Sequence, residues 1–359
     1  MHEDRAGNNY RCSKKSPVMK EPKRILIVRT DRIGDVVLST PVIKNLKLNF
    51  PNAYLAFMCR PYTKEIVEGN PYLDEVIVYD KYGKDKGIWA SIKFAFYLRR
   101  QNYDWVIILH PTNRVHLITF LAGIPLRIGF DKKMGFLLSK KIPHKKQEGR
   151  KHELEYTLDI LRELSIPIVD KTTYFPFKEE AGKKVIKLLS TSGLENGEKF
   201  IVIHPSASCP SKRWPSEYFS QVVRLLKEKA GLKIVVVSAA MEREFGEQII
   251  RENEVVDLRG KLNISELGFL FKKAALFVSN DSGPVHIAAA MKTPVISIFG
   301  RKNMGLSPLR WRPLGEKSFY LHKDIGCGKC LAHRCRRGFL CLREIKPGEV
   351  AEKALLLLQ

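Results

Sequence analysis

The chain of 359 residues is long enough for two domains with full cores, and its 44% hydrophobic and 28% charged residues are typical of soluble globular proteins. It contains no run of eighteen apolar residues, and its N-terminus lacks the apolar core of a signal peptide. We therefore expect a cytoplasmic protein rather than a membrane-spanning or secreted one. The formal net charge of +24 is unusual and indicates an anionic partner, either a nucleic acid, a membrane surface or a phosphorylated substrate.

The first half of the chain alternates strands with helices. Residues 1–23 are polar, basic and aperiodic, which predicts a disordered tail, with Met19 as an alternative start. Apolar runs predict strands at 24–29, 53–58, 76–79 and 104–109, and helices at 36–48, 62–68, 89–100 and 115–122. Pro41 predicts a kink or a helix that begins near Ser39. This alternation is typical of a mainly parallel, doubly wound sheet.

A basic segment interrupts the alternation after residue 130. Only Asp131 and Glu148 oppose its eight cations, which are Lys132, Lys133, Lys140, Lys141, Lys145, Lys146, Arg150 and Lys151. No RNA- or DNA-binding motif accompanies these cations. The segment therefore favours acidic small molecules or anionic lipid headgroups over nucleic acid as the partner.

The pattern restarts after a helix at 152–165 and a linker at 166–169. Helices are predicted at 181–192, 216–229, 242–252, 265–273 and 284–291, and strands at 200–204, 233–237, 255–258, 276–279 and 294–299. We therefore predict two similar α/β domains, at 24–170 and 171–359. Ligands of such folds bind at the carboxyl ends of the strands, here in a cleft between the domains.

The turn at 280–283 connects a strand to an alanine-rich helix. Asp281 or Ser282 can cap this helix, and Pro284 suits its first turn. Free main-chain N–H groups and the positive end of the helix dipole make such a place a receptor for phosphate. The alternative is an ordinary crossover between two strands.

Asp35 follows Gly34 at the predicted carboxyl end of the first strand. A carboxylate at this position can act as a general base if a substrate hydroxyl comes within hydrogen-bonding distance. Arg29 and Arg32 flank it and would help to keep it ionised. The alternative is that Asp35 caps the following helix.

Two further loops follow predicted strands. The loop at 205–215 offers hydroxyls and cations that together can neutralise a diphosphate, with Lys212 as a point charge and Arg213 as a fork. The alternative is a solvated loop held by Trp214. After the next strand, Glu242 or Glu244 can accept hydrogen bonds from a ribose, unless these acids only favour a helix N-terminus.

Four cysteines, Cys327, Cys330, Cys335 and Cys341, follow the pattern C-x₂-C-x₄-C-x₅-C. This spacing predicts a structural zinc site, with His322 and His333 as substitute ligands, although paired C-x₂-C knuckles are absent. The chain contains no Asp-x-Asp pair to clamp a divalent ion on a diphosphate. Cations and a helix N-terminus would then neutralise a leaving group.

Three of these stretches together resemble the ADP-heptose:lipopolysaccharide heptosyltransferases, glycosyltransferase family nine. They are the turn RTDRIGD at 29–35, the loop KRWP at 212–215 and the turn NDSGPVH at 280–286, and the resemblance spans the chain from Arg24 to its C-terminus. It implies a GT-B fold, in which two Rossmann-like doubly wound domains face each other across a cleft. It also implies an acceptor in the first domain, a nucleotide sugar in the second, and an inverting, metal-independent transfer.

The resemblance also implies roles for individual residues. Asp35 matches the general base, Lys212 the lysine that neutralises the diphosphate, and Glu242 the acid that binds the ribose. The remaining predicted donor-binding residues are Ser206, Ser208, Arg213, Asp281, Ser282, Gly283 and His286. Acceptor binding is assigned to Arg32, Lys132 and Lys133. Ala207-Ser208 stands where inner-core heptosyltransferases often carry a threonine pair.

The predicted function is transfer of heptose, or a related sugar, from an ADP-activated donor to a lipopolysaccharide core acceptor. Acceptor phosphates and peripheral contact with the anionic inner membrane would explain the basic segment. Two alternatives are a nucleotide-sugar epimerase or hydrolase on the same fold, and a basic nucleic-acid-binding protein. The absence of a nucleic-acid readout motif argues against the latter.

Overall fold

The structure, a computed structural model, describes residues 21–359. The predicted tail at 1–23 and the alternative start lie outside the described residues, apart from residues 21–23. The elements of the first half are β1 (Arg24–Val28), α1 (Ile33–Val37), α2 (Thr40–Asn49), β2 (Tyr54–Cys59), β3 (Glu75–Val78), α3 (Ile88–Arg100), β4 (Trp105–Ile108), α4 (Asn113–Leu121), β5 (Leu126–Asp131), β6 (Lys140–Pro143) and α5 (Glu153–Glu163).

The second half repeats the plan. Its elements are α6 (Glu179–Thr191), β7 (Phe200–His204), α7 (Ser216–Ala230), β8 (Lys233–Val236), α8 (Glu247–Glu252), β9 (Val256–Asp257), α9 (Ile264–Lys273), β10 (Leu276–Asn280), α10 (Pro284–Ala290), β11 (Val295–Phe299), α11 (Pro308–Trp311), β12 (Ser318–His322), α12 (Leu340–Arg343) and α13 (Pro347–Leu358).

Each half contains one parallel six-stranded sheet. The strand orders are β3-β2-β1-β4-β5-β6 and β12-β11-β10-β7-β8-β9. In both sheets the chain first winds outward in one direction and then returns to wind in the other. The switch falls between β1 and β4 and between β7 and β10, and a ligand crevice opens at such switch points. The predicted fold of two doubly wound domains facing across a cleft is confirmed.

Both faces of each sheet are covered because successive side chains of a strand point to opposite sides. In β1, Ile25 and Ile27 belong to the core that contains apolar residues of α2 and α5, whereas Leu26 and Val28 belong to the core under α3 and α4. The near-continuous apolar strands of the sequence therefore correspond to strands buried on both sides.

The sequence analysis missed three strands, β5, β6 and β12. β5 is interrupted by Arg127 and Gly129, so its pattern is weak. β6 and β12 are edge strands, and β6 carries two lysines and a proline, a composition that protects sheet edges. The predicted helix at 62–68 is largely 3₁₀, at Pro61–Ile66, whereas the predicted helix at 242–252 divides into a 3₁₀ segment at Ala240–Gly246 and the α-helix α8. Near Pro41 a helix does begin, with Ser39 as its N-cap.

The two halves touch where α1 packs against α10. A Cβ on Gly34 would lie 2.6 Å from Cδ2 of His286, and a Cβ on Gly283 would lie 2.9 Å from the Cβ of Ile33. Only glycine permits this approach, so the first turns of the two helices meet backbone to backbone. No helix among residues 21–359 is long and apolar enough to span a bilayer.

Candidate active site

Two adjacent cavities lie at the carboxyl ends of the two sheets. The large cavity, of about 750 Å³, is lined by residues that follow β1 and β4 on one side and β10 and β11 on the other. The small cavity, of about 480 Å³, extends along the second half past the ends of β7 and β8. Both are lined by Arg32, Ser208, Lys212, Ser282 and Gly283. The cavities therefore meet at the start of α10, where one elongated ligand can occupy both.

Asp35 lies in the first turn of α1 and lines the large cavity, with its side chain 14% exposed. Its Oδ1 accepts a hydrogen bond from Nη2 of Arg29. Burial raises the pKa of Asp35 to about 6, against the attraction of Arg29 and with help from the neighbouring carboxylates Asp31 and Glu153. The alternative role as helix cap is wrong, because Arg32 occupies the N-cap position. A carboxylate with this pKa is suited to remove a proton from a hydroxyl.

Glu153, at the start of α5, is only 1% exposed and gathers three cations. Its Oε1 accepts hydrogen bonds from Nζ of Lys146 at 2.7 Å and from Nη2 of Arg29 at 3.2 Å. Its Oε2 accepts two from Arg310, at 2.9 and 2.7 Å. Burial alone would raise the pKa of Glu153, but the attraction of the three cations holds it well below its usual range. Because Arg310 belongs to the second half, this cluster joins the two halves beside Asp35.

Asp281 directly follows β10 on the opposite wall and is 4% exposed. Its Oδ2 accepts a hydrogen bond from Nη2 of Arg301 at 2.6 Å and lies 3.2 Å from Nζ of Lys212. One carboxylate therefore fixes two cations, and this wall of the large cavity carries excess positive charge. The prediction that Asp281 or Ser282 caps α10 is wrong, because Gly283 is the N-cap and the Ser282 hydroxyl pairs with that of Ser279.

His286, in α10, is 4% exposed and lines the large cavity. Its Nδ1 is buried and has no hydrogen-bond partner in the part of the chain that the structure describes. Burial lowers the pKa of His286 to about 3, so the imidazole is neutral. The residue is both buried like a core histidine and adjacent to the site, two readings that the sequence could not separate.

The small cavity distinguishes the two acids considered for the ribose. Glu242 lines it and Glu244 does not. Its other walls are largely apolar, with Val237, Leu262, Ile264 and Leu267 among them. A mostly apolar groove with a few polar groups is typical of a small-molecule site.

Two predicted donor-binding residues, Ser206 and Arg213, line neither cavity. Ser206 is fully buried, and its hydroxyl pairs with Nε2 of His204 at 2.9 Å. Arg213 donates to the carbonyl of Ala207 at 2.8 Å and lies over the ring of Phe245. The structure does not bring these two side chains to the cavities, because their polar groups are used inside the loop. Donor binding by them stays a prediction. Ser208 and Lys212 of the same loop do face the cavities.

The basic segment does not form one free patch. Lys132 and Lys133 are exposed and line the large cavity, and acceptor binding by them stays a prediction. Lys146 is buried against Glu153, and Lys151 is paired with Asp159 at 2.9 Å. The cations of the segment therefore divide between the site, the core and surface ion pairs.

The four cysteines, Cys327, Cys330, Cys335 and Cys341, line a third cavity of about 310 Å³, which shares Arg301 with the large cavity. Residues 21–359 contain no group of three or more His, Cys, Asp or Glu side chains placed to hold a metal ion. The predicted zinc site is therefore not supported by the arrangement of the thiols. Main-chain donors contact two of the sulfurs instead. The N–H of Phe339 donates to Sγ of Cys335 at 3.3 Å. Burial would raise the pKa of the Cys330 thiol, but main-chain hydrogen bonds from residues 332, 302 and 303 keep it below its ordinary value.

Sequence reasoning missed three charged residues of the site, Glu153, Arg301 and Arg310. Arg301 comes two residues after β11, so the position after a predicted strand was a usable signal. Glu153 and Arg310 are separated by 157 residues and had no local signal.

Comparison with known proteins identifies the family. The model of glycosyltransferase family 9 (heptosyltransferase) matches residues 92–340. Lipopolysaccharide heptosyltransferase 3 of Escherichia coli (strain K12) is 31% identical over 296 residues, covering 79% of this chain and 83% of that protein. A family 9 glycosyl transferase from Veillonella parvula DSM 2008 superposes with a TM-score of 0.83 at 23% identity, covering 94% of this chain and 97% of that one. E. coli ADP-heptose lps heptosyltransferase II superposes with a TM-score of 0.76 at 22% identity, covering 93% and 98%. The chain is a GT-B glycosyltransferase that belongs to glycosyltransferase family 9, the heptosyltransferases.

Proposed function

We propose that this enzyme transfers heptose, or a related sugar, from an ADP-activated donor to a lipopolysaccharide core acceptor, with inversion at the anomeric carbon. Family membership supports the donor and acceptor classes. The observation that carries the mechanism is that Asp35 and Lys212, from opposite halves, line the same cavity. A base and a cation on facing walls suit a single displacement at the sugar between them.

In this mechanism the acceptor hydroxyl gives its proton to the carboxylate of Asp35. The hydroxyl oxygen attacks the anomeric carbon of the donor sugar, and the bond from that carbon to the diphosphate oxygen breaks as the new bond forms. Lys212 and Arg301 neutralise the charge that develops on the departing ADP, so the transfer needs no metal ion. Asp281 holds both cations in position.

The donor extends through both cavities, with a different part of it in each. The nucleoside occupies the small cavity with its ribose at Glu242, the diphosphate lies at Ser208, Ser282 and Gly283, and the sugar enters the large cavity near His286. Acceptor groups, including phosphates, bind at Arg32, Lys132 and Lys133. The proposed division of labour therefore follows the two halves, with 24–170 binding the acceptor and 171–359 the nucleotide sugar.

The activity belongs in the cytoplasm, at the anionic inner face of the membrane that presents a lipid-linked acceptor. The excess of basic residues, a net +24, favours this position electrostatically.

The test is release of ADP from ADP-heptose in the presence of a core acceptor, for wild type and Asp35→Asn. Loss of a general base costs about 10²–10⁴-fold in turnover. Because the Asp35 pKa of about 6 lies below neutral pH, kcat should fall as pH drops through 6, when the base becomes protonated.

Asp31→Asn is the matched control, because Asp31 also lines the large cavity and lies 3.6 Å from Arg29. It should retain most of the activity. Equal losses in the two variants, or full activity in Asp35→Asn, would remove Asp35 as the base. ADP or an altered sugar formed without any acceptor would instead indicate a hydrolase or an epimerase.

A further inference from the structure

Large apolar side chains are exposed together on one face of the first half. They lie on α3 and the loop before it, on the end of α4, and at residues 135–137; the most exposed are Trp89 (80%), Tyr82 (68%), Phe136 (68%), Ile88 (57%), Phe96 (57%) and Phe120 (46%). α3 packs beside α4, and residues 135–137 pack against α4. These elements are therefore neighbours, and we call their exposed apolar side chains the aromatic face. Single exposed apolar residues are ordinary, but a patch of this kind marks an interaction site.

α3 is apolar on two sides. Phe94, Ala95 and Leu98 bury its inner side in the core below the sheet. Ile88 and Phe96, eight residues apart, project from the outer side together with Trp89. The outer side of α3 therefore exposes large apolar side chains that no other element of the described chain covers.

The aromatic face is also basic. Residues 80–100 carry six cations and two carboxylates, and five of the cations, Lys84, Lys86, Lys93, Arg99 and Arg100, are exposed. The two carboxylates are occupied in the loop, where Asp80 accepts from the N–H of Gly83 and Asp85 accepts from that of Asp80. An excess of lysine and arginine around exposed tryptophan and phenylalanine matches an anionic bilayer surface.

The loop that begins this face reaches the mouth of the active site. Nζ of Lys81 donates to the carbonyl of Thr30 at 3.4 Å, directly before Asp31 of the large cavity. The guanidinium of Arg60 lies 4.8 Å from the ring centre of Tyr82. A membrane that contacts the aromatic face would therefore lie beside the cavity proposed for the acceptor.

We propose that the aromatic face docks the enzyme on an anionic lipid bilayer, with Trp89 and Phe96 in the headgroup region and the surrounding lysines on the lipid phosphates. The inference deepens the proposed function, because it names the surface that meets the membrane of a lipid-linked acceptor. A second copy of the chain is a poorer partner, since the face would meet its own positive charge. Within the basic segment at 132–151, Lys146 is buried and Lys151 is ion-paired, so not all of its charge is available to a membrane.

The test is sedimentation with vesicles of phosphatidylcholine alone and with about a third phosphatidylglycerol, in the absence of donor and acceptor. Wild type should bind the anionic vesicles and not the neutral ones. Lys84→Glu with Lys86→Glu should weaken binding by at least about thirtyfold, since each cation near an anionic surface contributes about fivefold. Trp89→Ser with Phe96→Ser should weaken it by about tenfold or more, because the anchoring apolar area is lost.

Matched controls lie on the second half. Lys183→Glu with Lys187→Glu reverses two exposed lysines of α6, and Leu356→Ser removes a side chain of α13 that is 62% exposed. Both should bind vesicles like wild type. Trp89→Phe keeps the apolar area, so it should bind but lose the blue shift of tryptophan fluorescence that vesicles induce in wild type.

Equal binding to both vesicle types, or equal losses in the α6 control, would overturn the proposal. So would a wild-type dimer that Trp89→Ser dissociates while no vesicle binding occurs, since a second copy would then cover the face. Because the vesicles contain neither substrate, a failed transferase assay would leave this result unaffected.

Discussion

Among single substitutions near the site other than those at Asp35, neutralising Glu153 should lower the free energy of unfolding the most. The carboxylate is 1% exposed and accepts hydrogen bonds from Lys146, Arg29 and Arg310. In Glu153→Gln, the buried cations Arg29 and Lys146 and the partly buried Arg310 lose their shared counter-charge. Removing one partner of a buried charge cluster typically costs about 3–5 kcal/mol, chiefly because the remaining charges stay buried and unpaired.

The measurement is urea unfolding at pH 7, monitored by far-UV circular dichroism. The shift of the midpoint is converted to a change in the free energy of unfolding through the slope of that free energy against urea concentration. Glu155→Gln is the matched control on the same helix. Its carboxylate is 28% exposed and pairs with Arg162 and Lys171, so its loss should cost about 0–1 kcal/mol. The difference between the variants should disappear in acid. Because the pKa of Glu153 is lowered in the fold, its stabilisation is present above its ordinary value of 4.5 and is lost as pH falls further.

A second measurement tests whether Glu153 affects the pKa of Asp35 as well as the stability of the fold. The charge of Glu153 helps to raise the pKa of Asp35, so Glu153→Gln should lower that pKa. The acid limb of the kcat profile should then move to lower pH than in wild type. If Glu153→Gln is no less stable than Glu155→Gln and leaves the acid limb in place, the reasoning about this cluster is refuted.

The remaining predictions concern the contact between the two halves and the small cavity. Gly34→Ala places a Cβ 2.6 Å from Cδ2 of His286, so it should force α1 and α10 apart and lower kcat by about 10²-fold in the ADP-release assay. The control is Gly348→Ala, whose Cβ meets open space and which should leave kcat unchanged. Glu242→Gln should raise the KM for the donor by about tenfold through a weakened hydrogen bond to the ribose, whereas Glu244→Gln should not. The opposite order of the two glutamine variants would reassign the ribose acid.

Much of the site was accessible from the sequence because it lies where strands end. Apolar runs followed by polar turns located Asp35, Lys212 and Asp281, and parallel strands bring their carboxyl ends to one edge. The same argument found Ser208 but also selected Ser206 and Arg213, whose side chains point into the loop. Direction within a loop depends on its folded backbone, which composition does not specify.

The sequence by itself determined the two doubly wound sheets, the position of the cleft and the basic character of the protein, because strand length, apolar periodicity and charge are local properties. Only the tertiary structure decided which partners meet. Glu153 and Arg310 are 157 residues apart and pair across the two halves. The sequence predicts α3 only as a helix, and only the folded structure shows that nothing in the described chain covers its outer side. Contacts between distant segments follow from packing of the whole chain, and no window of neighbouring residues carries that information.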